Sequence, residues 1–204
     1  MKKYYHREIT THALHAYFSQ DALEHVIVAN LGQDALQYQI GHDHFHYDAN
    51  SFAVADAYCA QLRQDVRSAL KRKTADQART FFGRLTHTTQ DFYAHSNYVA
   101  LWRQSNPHAA PEDIDPQLDE LIGHPGLISG RLYYPLELFS FIPLFQPVVL
   151  PLLPRDSHAW MNKDDPSRPD FAFAFEAAKK RTFHEFTRVC AGLSAEEISV
   201  FAGR

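Results

Sequence analysis

Thr74-Ala-Asp-Gln-Ala-Arg-Thr-Phe-Phe-Gly-Arg-Leu-Thr-His87-Thr-Thr-Gln-Asp91-Phe-Tyr-Ala-His95-Ser-Asn-Tyr-Val99 reads as one long helix, and the fold follows from it. Thr74 stands as an N-cap, Asp76 and Gln77 sit at the helix start, and no proline interrupts the pattern before about Arg103. Leu85, Phe92 and Val99 recur every seven residues and mark a buried stripe. His87, Asp91 and His95 are spaced i, i+4 and i+8. At about 100° per residue, four positions advance a side chain by about 40°, so all three project from one side of the helix in successive turns. A solvated polar stripe, or core histidines satisfied by hydrogen bonds, would share this spacing. The adjacent apolar stripe favours partial burial, and a buried Asp between two imidazoles calls for a cation.

Outward from this helix the pattern stays helical. Arg7 to Phe18 and Gln20 to Asn30 carry apolar residues at three- and four-residue spacing, and Asn50 to Lys73 has neither Gly nor Pro. Phe171 to Val189 and Ala195 to Phe201 complete the set, while breakers concentrate between about Asn106 and Pro169. No stretch alternates with period two. The chain therefore reads as all-α, a single-domain helical bundle of roughly six to eight helices over residues 1–204. The apolar run from Leu136 to Leu153 contains Pro143, Pro147 and Pro151, which argue against a transmembrane helix. Its Pro-rich loop, at about 139–154, must be either covered by the core or used at a surface. The surface use would bring Phe141 and Phe145 to acyl chains beside His158.

Lys and Arg total 20 against 24 Asp and Glu, a net charge of −4, so no whole-molecule field attracts a polyanion. Lys71-Arg72-Lys73 and Lys179-Lys180-Arg181 read as solvated helix faces or ends, which argues against nucleic acid as the partner. Cys59 and Cys190 form neither a disulfide framework nor a thiolate metal motif, whereas 13 His point to nitrogen and oxygen ligation. Met1-Lys-Lys has no apolar stretch behind it, so the expectation is a cytoplasmic protein or one exported by a non-classical route. Two further clusters can complete a metal site. Gly41-His42-Asp43-His44-Phe45-His46-Tyr47-Asp48 follows Asp34, and Asp156-Ser-His158-Ala-Trp-Met-Asn162-Lys-Asp164-Asp165-Pro166 follows the apolar run. Of His6, His12 and His15, at least two read as helix-surface residues.

The run from Phe82 to Val99 closely resembles the signature helix of the Het-C family, which belongs with the zinc-dependent phospholipases C and P1-type nucleases. His6-Arg-Glu-Ile-Thr10, Asp34, His44-Phe45 and His158 to Pro166 extend the resemblance along most of the chain. It implies a helical fold around two or three zinc ions. Asp34, His44, His87 and Asp91 would surround one; His95 and His158 would hold a second; Asp91 would bridge to a third near His6. His44 is preferred over His46 because Phe follows it. The resemblance breaks at two places. Position 162 is Asn where those enzymes carry an acid, leaving Asp164 as the substitute ligand, and Met1-Lys-Lys-Tyr-Tyr precedes His6 where they place the amine of a mature Trp.

Clustered zinc would lower the pKa of water towards 7 and offset phosphodiester charge, with Asp34 accepting a proton from the attacking water. The implied function is a phospholipase C releasing diacylglycerol and a phosphorylated headgroup, in transient contact with a membrane surface. A P1-like single-strand nuclease and a metal-stabilised, non-catalytic interaction module are the alternatives. A di-iron bundle is excluded because no Glu has His three residues on, and His184-Glu185 lacks the second His of a His-Glu-x-x-His protease. A His-Asp dyad at His42-Asp43 would leave His87, Asp91 and His95 unexplained.

Overall fold

In the computed structural model, which describes residues 1–38, 41–140, 142 and 144–204, the longest helix is also the most enclosed. The described residues form α1 (Lys3–Leu14), α2 (Gln20–Gly32), α3 (Phe52–Lys71), α4 (Ala75–His95), α5 (Tyr98–Ser105) and α6 (Asp119–Ile122). They continue with α7 (Leu136–Ser140), α8 (Gln146–Val149), α9 (His158–Met161), α10 (Phe171–Cys190) and α11 (Ala195–Ala202). The architecture is all-α. In place of strands, two isolated bridges pair Ser96 with Ser129 and Arg131 with Ser157 among the described residues. No described helix is long and apolar enough to cross a membrane. Phe141 and Pro143 of the apolar run lie outside the described residues.

Helix α4 packs against α2, α3 and α10. From Phe82 to His95 every residue except Arg84 is buried, so the expected stripe is exceeded and the second half of the helix is enclosed on all sides. Its ends differ from expectation. The Thr74 hydroxyl donates to the carbonyl of Ala69 instead of capping the helix. The expected continuation to Arg103 breaks after His95, because Ser96 adopts an extended conformation and its hydroxyl donates to the Phe92 carbonyl. Asn97 then donates its amide to Ile128, and α5 starts afresh.

Two hydrophobic clusters result. The large one joins α1 to α5, α10 and α11 through Ile9, Val26, Leu62, Phe82, Leu85 and Phe201. A small satellite of Val149, Leu153 and Ala159, with Tyr133, Leu150 and Trp160 against it, lies under the apolar segment. Hydrogen bonds tie the satellite to α4: Gly130 donates to the His95 carbonyl, and Lys163 gives its amide to Ala94 and its ammonium to Ser96. Glu137 anchors the apolar segment by accepting the amides of Tyr133 and Ala159.

The run Lys179-Lys180-Arg181 is no solvated face. Lys180 donates to the carbonyl of Ile114, and Arg181 is largely enclosed against Glu185, which also takes a two-point contact from Arg63. A buried carboxylate between two guanidiniums is compensated, which is why the pair can lie between α3 and α10.

Gly83 sets the distance between α2 and α4. A Cβ there would stand 2.4 Å from the Val26 carbonyl oxygen, 2.6 Å from the Ala29 Cβ and 2.8 Å from the Asn30 nitrogen. Gly83→Ala gains helix propensity but must push α2 away. We expect a net destabilisation of about 1–3 kcal/mol in denaturant unfolding, with a higher melting temperature as the opposing result.

Candidate metal centre

Nine side chains from six parts of the chain meet where the main bundle borders the satellite. α4 supplies His87, Asp91 and His95; α1 supplies His6; Asp34 follows α2; His46 and Asp48 come from the loop after the short turn Asp43–Phe45; His158 opens α9, with Asp164 just beyond it. Asp91 lies at the centre. Its Oδ2 is 2.9 Å from His46 Nδ1 and 3.0 Å from His87 Nε2, and its Oδ1 is 3.2 Å from His6 Nε2 and 3.8 Å from His95 Nε2. Asp34 Oδ1 reaches to 3.7 Å from His87 Nε2 at the exposed edge. On the other flank Asp164 lies 3.4 Å from His95 Nε2 and 4.0 Å from His158 Nε2. The Met1 amino nitrogen is 2.7 Å from Asp91 and 3.1 Å from Asp164.

A second layer decides which ring nitrogens carry protons. Asn30 donates its amide to Thr86 and Gln90, which turns its oxygen to His87 Nδ1 at 3.4 Å. Gln90 donates to Thr10 and Thr182, so its oxygen accepts from His6 Nδ1 at 2.6 Å. His95 Nδ1 donates to the carbonyl of His46 at 3.0 Å, and Asp48 lies 3.1 Å from His158 Nδ1 and 3.5 Å from His95 Nδ1. Because each of these acceptors can only accept, all four rings carry a proton on Nδ1, and whenever a ring is neutral its bare Nε2 faces Asp91 or Asp164.

Electrostatics follow from this crowding. Burial alone would raise the Asp91 carboxyl, yet the Met1 amino group, His95, His87 and His6 hold it well below the usual carboxylate range. Asp164 is held down in the same way by Met1, His95 and His158. Burial lowers His87 to about 4 against the opposing pull of Asp91, so it is a neutral donor at pH 7. At His158 burial is outweighed by Asp48 and Asp164, which lift the imidazole to about 9.

The donors fit a cation better than they fit one another. His6 Nε2 and His46 Nε2 are buried without a hydrogen bond among the described residues, and the His87 Nε2 lies 3.2 Å from His46 Nδ1, where a single proton must serve both. His6, Asp34 and His87 form one group that could hold a metal ion, His46, His87 and Asp91 a second, and Asp48, His95 and His158 a third. Neutral imidazole nitrogens next to carboxylate oxygens are the ligands of borderline divalent metals.

Of the residues expected from sequence, His6, Asp34, His87, Asp91, His95, His158 and Asp164 are brought together. His44 is not. The turn Asp43–Phe45 winds with about three residues per turn, so His44 and His46 leave it on different sides. His44 packs edge-on to Tyr58 of α3, while His46 is buried against Asp91 and takes the place expected of His44. Asn162 turns its amide back to the carbonyls of His158 and Ala159, leaving Asp164 to face the imidazoles. Asp48, Asn30 and Gln90 were missed as members of the site. Asp48 is aimed inward by left-handed backbone at Tyr47 and Ala49 (φ 55° and 54°), which no side-chain spacing announces. His12, His15, His42 and Asp43 stand apart from the cluster.

A family model described as the VWA7 N-terminal domain matches residues 3–121, more than half of the chain, and the chain belongs to that family. The matched span carries His6, Asp34, His46, Asp48, His87, Asp91 and His95, and ends before the apolar segment, His158 and Asp164. Neither the curated proteins nor the solved structures contain a match to this chain.

Two predictions test the geometry by zinc titration against a competing chelator. Gln90→Leu removes the acceptor that fixes the His6 tautomer and should weaken the tightest site by about 10–100-fold; unchanged affinity would remove Gln90 from the site. Asp164→Ala should lower zinc stoichiometry while Asn162→Ala leaves it intact, and the reverse pattern would make Asn162 the ligand.

Proposed function

We propose that this member of the VWA7 N-terminal domain family is a zinc-dependent phosphodiester hydrolase of the phospholipase C type, with a bundle of the phospholipase C and P1 nuclease kind. The observation that carries this reading is the convergence of bare imidazole nitrogens and carboxylates around Asp91, with buried ring nitrogens left without a hydrogen bond. Asp34, His46, His87 and Asp91 would hold one zinc, His95, His158 and Asp164 a second, and His6 with Asp91 a third. Bound zinc would supply Lewis acidity, acidifying water towards neutral pH and offsetting charge on the phosphoryl oxygens.

The chain's own residues supply the rest. Asp34 is the partly exposed carboxylate at the edge of the cluster, which suits it to accept the proton of an attacking water. Asp91, enclosed and ionised, fixes the imidazoles of three segments in one place. A cleft of about 470 Å³ runs from Asp164 past Asn162, Lys2 and Arg168 to Pro147 and Leu150. Polar and charged side chains line most of this cleft and Pro147 and Leu150 form its apolar part, which suits an amphiphilic phosphodiester, whereas a single-stranded nucleic acid would require stacking aromatics along a basic groove.

The deciding experiment assays the purified protein on phosphatidylcholine and single-stranded DNA in parallel, with chelator and after zinc is restored. We expect zinc-dependent release of diacylglycerol. DNA cleavage without lipid hydrolysis would replace the reading with a nuclease, and bound zinc without turnover of either substrate would leave a non-catalytic module. Asp91→Asn should lose activity and zinc together; native zinc stoichiometry in a folded Asp91→Asn protein would overturn the cluster.

A further inference from the structure

The apolar segment beside the cleft is neither core nor ordinary loop. Val149 and Leu153 are buried in the satellite cluster, but Leu144, Val148 and Leu152 are 79%, 68% and 67% exposed, and Leu138, Phe139 and Phe145 are exposed beside them. The segment contains the short helices α7 and α8, which with the described residues next to them present these side chains outward. Contiguous exposed apolar surface of this kind marks an interaction site.

Charge distinguishes the occupants. Between residues 131 and 155 the charged residues are Arg131, Glu137 and Arg155. Glu137 is buried and committed to two backbone amides, so the exposed charges among the described residues of this segment are Arg131 and Arg155, and the neighbouring Asp156 is half-buried and accepts the Tyr133 hydroxyl. Arg155 lies over the Trp160 ring at 3.9 Å, and the indole donates to the Leu150 carbonyl, which fixes the cation at the border of the apolar patch. Anionic headgroups above acyl chains match both the cations and the apolar side chains.

We infer that Leu138, Phe139, Leu144, Phe145, Val148 and Leu152 dock the protein on a phospholipid bilayer bearing anionic headgroups, with the cleft opening beside the contact; this deepens, and rests on, the phospholipid reading above. Docking there sets the lipid at the mouth of the cleft that leads to Asp164, so the substrate need not leave the bilayer far behind to reach the cluster.

The test uses the whole chain and a variant carrying Leu144→Ser, Val148→Ser and Leu152→Ser, three exposed positions that do not line the cleft. Cosedimentation with vesicles of equimolar phosphatidylcholine and phosphatidylglycerol is measured together with thermal melting, light scattering and hydrolysis of a soluble short-chain phosphatidylcholine. The expected result is vesicle binding by the unaltered chain, weakened roughly tenfold or more in the variant, with melting and short-chain hydrolysis unchanged. Absence of vesicle binding, equal binding by the variant, or a dimer that the substitutions dissociate without any vesicle binding would each overturn docking. Vesicle binding lost in the variant while neither lipid is hydrolysed would uphold docking and reject the phospholipase instead.

Discussion

An ionised carboxylate with no access to water sits one turn from the C-terminal end of the most buried helix of this protein, and the surroundings of Asp91 are organised to make that tolerable. An unpaired charge at such depth costs several kcal/mol. Compensation comes from the Met1 amino group and from His46 Nδ1, while His6, His87 and His95 turn their Nε2 atoms to the same place, and all of these must be desolvated to reach it. Their outer nitrogens then need acceptors, which Gln90, Asn30 and backbone carbonyls provide. One buried charge thus propagates outward through two layers of polar groups, each restricted in conformation by the one inside it.

This dependence explains why α2 and α4 approach as closely as they do. Asn30 can reach both His87 and Gln90 only if its helix lies nearly in backbone contact with α4, and the missing Cβ of Gly83 permits that. Packing and site chemistry are here one constraint, since a larger residue would separate the helices and the hydrogen bonds together.

Helical periodicity made His87, Asp91 and His95 legible from sequence, because spacing on a regular helix fixes direction. The same rule made α4 recognisable as a core element, although not the fact that its second half is enclosed on every side. Direction in a loop is not periodic, and there sequence reading chose His44, whereas a tight turn and two left-handed residues bring in His46 and Asp48. The stop after His95 was illegible for a related reason: Ser96 and Asn97 end the helix through contacts with residues 128 and 129, which only the tertiary fold supplies. Asn30 and Gln90 look like any polar residues of a helix until the second layer is seen to need them.

The seam between the main bundle and the satellite divides the donors by the strength of their support. His6, His87 and Asp91 stand on long helices embedded in the large core, while His158 and Asp164 stand on a short helix and loop held by a small apolar cluster and a few hydrogen bonds from Lys163, Gly130 and Glu137. Free energies of opening differ between such regions within one fold. Local opening would therefore begin on the side of His158 and Asp164, and a cation held there would exchange at the rate of that opening, a quantity separate from the stability of the bundle as a whole.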